Sequence, residues 1–159
     1  MEYPVGVSQA EFVRVMLIEG AIGGAITALI AFLLSRFVSD VAGRTLLATV
    51  LFVAAGAYLG FAFIPPTPRI WLLVELLQGI GFGILGLYGW RGSPNWLLLG
   101  WLLHPLWDFG VHYLGPGDTY APLGYVIACI SFDWVVAAYI FIAYRWLGLA
   151  RYPTPSLAR

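Results

Sequence analysis

Residues Pro94 to Leu114 read PNWLLLGWLLHPLWDFGVHYL. At about 1.5 Å per residue, a helix of this length crosses the roughly 30 Å hydrocarbon core of a bilayer. The run nevertheless holds an acid and both histidines of the chain. His104, Asp108 and His112 are spaced four and four. On a helix each is turned only about 40° from the last, so all three share one face. Such a run has no place on a water-exposed surface, and its polar stripe has no place facing lipid. It therefore reads as one member of an all-α transmembrane bundle, organised around that stripe.

Composition points the same way. The 159 residues are 61% hydrophobic and 10% charged, and the mean hydropathy is +0.87. A soluble domain carries about 25% charged residues. All eight cations are arginine and the formal net charge is zero. With no basic cluster, nucleic acid is excluded as a partner. The single Cys129 rules out an intrachain disulfide and is too little for a thiolate metal cage. Glu2 and Glu11 precede a first apolar run too long for a secretory signal, so that run is expected to be a retained helix.

Five spans are expected, at about 12–37, 45–64, 70–90, 94–114 and 122–147, in a single transmembrane domain over residues 1–159. Pro65-Pro66 closes the second, Gly115-Pro116-Gly117 closes the fourth, and Pro153 and Pro155 lie in a short solvated tail. The segment Gly20 to Ala25, and Gly79, Gly81, Gly83 and Gly86, read as close-packing faces. They are also the surfaces through which a second copy or a larger membrane complex would dock. With the N-terminus outside and the C-terminus cytoplasmic, Arg36, Arg44, Arg91, Arg145, Arg151 and Arg159 lie inside and Arg14 and Arg69 outside. Six against two satisfies the positive-inside rule. The expected location is a bacterial or archaeal cytoplasmic membrane.

Half of the eight acids fall within spans: Glu19, Glu75, Asp108 and Asp133. An ionisable group at mid-bilayer costs about 2.5–3.5 kcal/mol on insertion scales, which makes a functional cluster the default reading. Counting helical rise, Glu19, Glu75 and Asp108 all fall about 8–10 Å below the outer surface. His112 is shallower, and His104 and Asp133 lie at about 15–18 Å. A polar site in the outer half follows. Pro105 frees the carbonyl of Trp101 and is expected to kink the helix beside His104.

Imidazoles with carboxylates suit Zn, Fe or Mn. The expected catalytic groups are Glu75, Asp108 and His104. The expected metal ligands are drawn from these with Glu19, Asp133 and His112. Gln78, Tyr58, Trp107 and Trp134 are expected to line a pocket for a lipid or other apolar substrate. The reading is a small integral-membrane, metal-dependent enzyme. Without a metal, the same acids suit an acid–base isomerase, cyclase or hydrolase. The alternatives are a proton- or cation-coupled transporter using the same groups, and a non-catalytic subunit of a membrane complex. In size and tryptophan content the chain loosely resembles the tryptophan-rich sensory proteins. None of that family's motifs is visible, and no residue role is carried over. No span holds a lysine, which excludes a retinal Schiff base.

Overall fold

Serine and proline set where the helices begin. In the computed structural model, which describes residues 6, 8–64 and 66–149, Ser8 opens α1 (Gln9–Phe37) by accepting the Glu11 amide at 3.2 Å. Ser39 opens α2 (Asp40–Ala62) by accepting the Ala42 amide at 3.1 Å. Ser93 opens α4 (Pro94–Trp107), with Pro94 in the first turn, where its missing N–H is no loss. α3 (Arg69–Arg91) follows Pro68 and α5 (Leu123–Arg145) follows Pro122. Glu2, Pro65, Arg151, Pro153, Pro155 and Arg159 lie outside the described residues.

Among the described residues there is no strand, and α1, α2, α3 and α5 are each long and apolar enough to cross a membrane. The fourth expected span comes in two pieces. α-Helix stops at Trp107, and a π-helical segment continues from Asp108 to Tyr113. Pro105 explains the change. Its nitrogen has no hydrogen for the Trp101 carbonyl. After it the ladder changes step: the Asp108 amide is shared between the carbonyls of His104, four residues back, and Pro105, three back, and at the far end the Leu114 amide reaches five residues back to Phe109 at 3.0 Å. A short 3₁₀ turn, Pro116–Thr119, then leads toward α5.

The helices form a closed ring. α1 packs on α2 and α5, α3 on α2 and α4, and α4 on α5. Gly24 lets α1 reach α5, since a methyl there would lie 2.7 Å from the Phe132 carbonyl; Gly20 meets Ala128 in the same way. In α3 the expected glycine face divides. Gly83 and Gly86 meet Phe52 and Ala48 of α2, but Gly79 and Gly81 face open space. Large apolar side chains point outward, among them Ile22, Ile26, Leu29, Leu77 and Ile80. That is the inside-out arrangement a lipid solvent selects.

Two apolar clusters fill the ring. One gathers Leu47, Leu51, Phe82, Leu97, Trp101 and Ile140. The other gathers Tyr58, Ala121 and Val126, flanked by Tyr113, Tyr120 and Tyr125. At the end where α2 begins, Arg44 pairs with Asp40 at 2.6 Å and donates to the Gly92 carbonyl at 2.6 Å, and the Tyr144 hydroxyl donates to Asp40 at 2.8 Å. That network ties α2, the last turn of α3 and α5 together.

Candidate functional site

The buried polar and charged side chains of the described residues are Glu75, Gln78, His104, Asp108, His112 and Asp133. All but Gln78 are completely inaccessible, and Gln78 is 7% exposed. They come from α3, α4, the π segment and α5, and they separate into two groups.

The first group is His104, Asp108 and Asp133. His104 Nδ1 lies 2.8 Å from Asp133 Oδ2 and 3.4 Å from Asp108 Oδ2. One ligand-type atom from each of the three fits within a 4.8 Å span. The second group is Glu75, His112 and Tyr120. His112 Nε2 lies 3.6 Å from Glu75 Oε1, and the Tyr120 hydroxyl donates to the same oxygen at 2.5 Å. Burial, and after it the bond to Glu75, push the pKa of Tyr120 above the ordinary tyrosine value. Tyr58 of α2 separates the groups: its ring stacks on His112 at 3.9 Å and tilts toward His104 at 6.0 Å. Gly117 packs its backbone against the Nδ1–Cε1 edge of His112, where a Cβ would collide with Nδ1.

Polar atoms left over in the first group suit a cation. Both oxygens of Asp108 and Oδ1 of Asp133 are buried with no hydrogen-bond partner in the protein. Unmet carboxylate oxygens at such depth are costly. Ligands about 2.0–2.1 Å from a tetrahedral zinc ion stand about 3.3 Å apart along the tetrahedron's edges. The His104–Asp108 separation of 3.4 Å already matches that spacing. The His104–Asp133 separation of 2.8 Å must open by about half an ångström. One imidazole and two carboxylates also form a donor set suited to Fe or Mn.

The expected residues are thus regrouped. Asp133, expected among the wider set of ligands, sits beside His104 and Asp108. Glu75, expected in the inner shell, sits with His112 instead. Glu19 is on the exposed side of α1, bordering a groove with Tyr125 and Cys129, away from both groups. Gln78 and Trp107 line one groove together, whereas Tyr58 is sealed between the imidazoles and Trp134 is 48% exposed on the outer surface. Tyr120 was not anticipated. It lies in the connection between the π segment and α5, where no periodicity marks a side chain as inward. Only its position directly before the Ala121-Pro122 helix start hints that it is held near the bundle.

A family model described as a family of unknown function, DUF6010, matches residues 19–145, and the chain belongs to that family. The matched segment contains all of both groups. No curated protein and no solved structure matches the chain.

Proposed function

We propose that this protein is a small membrane-embedded metalloenzyme whose divalent ion is held by His104, Asp108 and Asp133. It acts on a lipid or other apolar substrate. The observation that carries this reading is a completely buried imidazole with two carboxylates at ligand spacing, with several of their oxygens unmet. A bound Zn, Fe or Mn ion would supply Lewis-acid polarisation or an activated water. The chain's own residues would do the rest. Glu75, His112 and Tyr120 form a proton-handling chain that leads from the interhelical connection toward the ion, with Tyr58 as the partition. In this reading Pro94 to Leu114 forms a fifth span. The N-terminus is outside, and the site lies in the outer half of a bacterial or archaeal cytoplasmic membrane.

Elemental analysis of detergent-solubilised protein, purified without chelator, tests the proposal. We expect close to one equivalent of Zn, Fe or Mn per chain. Asp108→Asn and Asp133→Asn should each lower it at least tenfold, while Glu75→Gln retains it. A metal-free parent that takes up no added ion would overturn the reading. The Tyr120–Glu75–His112 chain would then favour proton-coupled transport, read as pH-driven flux in proteoliposomes.

A further inference from the structure

Glu75 and His112 are completely buried, so water or an ion reaches them only when part of their enclosure moves. Most of that enclosure is helix. Tyr58 stacks on one face of His112 from α2, and Trp107 approaches Glu75 from α4. The exception is the connection over residues 115–121. Its Gly117 backbone covers the Nδ1–Cε1 edge of His112, and its Tyr120 ring stands edge-on to the same imidazole at 5.7 Å. Pro116 and Thr119 of the same connection are exposed.

This connection is held lightly. Its backbone bonds are internal: the Asp118 amide donates to Gly115, and the Tyr120 and Ala121 amides donate to Gly117. The Thr119 hydroxyl donates to the Pro116 carbonyl at 2.9 Å. The 3₁₀ turn packs chiefly on the π segment. Its tie to α3 is the bond from the Tyr120 hydroxyl to Glu75, beside a ring contact with Trp71 at 5.6 Å. A turn that satisfies itself and is fastened by one side chain can swing as a unit without breaking its own bonds. Such segments open at far less than the cost of global unfolding.

From this arrangement we infer that residues 115–121 form a lid, latched by Tyr120 on Glu75, whose opening admits water and a divalent cation to the polar cluster. Glu75 and His112 are then the first ligand-type groups an entering cation meets on its way to His104, Asp108 and Asp133. The cation's route rests on the metalloenzyme reading; the lid itself does not.

Diethyl pyrocarbonate, which acylates accessible imidazoles, reads the lid in metal-free, detergent-solubilised protein. His104 and His112 are the two histidines of the chain, and tandem mass spectrometry separates them. Tyr120→Phe removes the latch and keeps the ring. We expect it to speed acylation of His112 about fivefold, which is what loss of one net hydrogen bond gives, while His104 lags behind Tyr58. Tyr144→Phe removes a hydroxyl bond to Asp40 at the opposite end of the bundle and should change neither rate. Zinc uptake, and zinc release to a chelator, should both quicken about fivefold in Tyr120→Phe with stoichiometry unchanged. An unchanged His112 rate in Tyr120→Phe, a rise matched in Tyr144→Phe, or a rise shared equally by His104 would overturn the lid. A faster His112 with unchanged zinc rates would overturn the cation's route. A lid that responds as expected in a protein that never takes up zinc would sink the metalloenzyme reading alone.

Discussion

Tyr120 shows how much one side chain outside the spans can matter. Its hydroxyl donates to Glu75, and a hydrogen bond contributes about 0.5–1.5 kcal/mol net. Tyr120→Phe should therefore lower unfolding stability in detergent by about 1 kcal/mol, read by thermal or denaturant melting. The pH dependence follows from its raised pKa. A folded pKa above the unfolded value gives stability that is present below about pH 10, the ordinary tyrosine value, and lost as pH climbs past it. Tyr120→Phe should flatten that alkaline loss; an unchanged slope would show that another group causes it. At this scale the sequence was legible by residue type but not by direction. Glu19 was expected at the depth of the other acids, yet its neighbours Gly20, Gly24, Ala28 and Ala31 form the buried stripe of α1. One residue before that stripe is a turn of about 100°, enough to bring Glu19 outside. The stripe of small residues was the signal that would have placed it.

Among the elements, α4 and its π extension carry the most consequence. Pro105 breaks the α-ladder, and the wider turns that follow bring both Asp108 and His112 to complete burial. π turns recur at functional sites because they re-aim side chains within a helix. Pro105→Ala restores the missing donor. We expect it to preserve the bundle, or stabilise it, while weakening metal retention several-fold; full retention would show that the π turns do not depend on proline. The spacing of four was legible in the sequence, but the change of helix type was not, because a proline announces a broken bond and not the way the chain repairs it. Helix contacts are simpler to test. Gly24→Leu drives a side chain into the Phe132 backbone and should cost about 1–3 kcal/mol or more in unfolding free energy. Gly79→Ala, in open space, should be neutral or slightly stabilising. Equal effects would contradict the α1–α5 approach described here.

The molecule as a whole is a ring of apolar helices with two apolar cores and a polar layer adjoining both. Its class was readable from composition alone, since so few charges cannot cover a water-soluble surface. The cyclic order followed less directly, because helices apolar on nearly every side give little sign of which face turns inward. Topology rests on arginine, with Arg36, Arg44, Arg91 and Arg145 assigned to the cytoplasmic side against Arg14 and Arg69. In a Cys129→Ala background, Ser8→Cys should react with an impermeant maleimide added to whole cells, and Ser39→Cys only after lysis; the reverse would invert the assignment. The central claim is the ligand set, and X-ray absorption at the zinc edge of zinc-loaded protein tests it most directly. We predict one imidazole nitrogen with carboxylate oxygens at about 2.0–2.2 Å and no sulfur at about 2.3 Å. The spectrum should be unchanged by His112→Gln and altered by Asp133→Asn. Two imidazoles in the shell, a sulfur scatterer, or sensitivity to His112 in place of Asp133 would contradict a centre built from His104, Asp108 and Asp133.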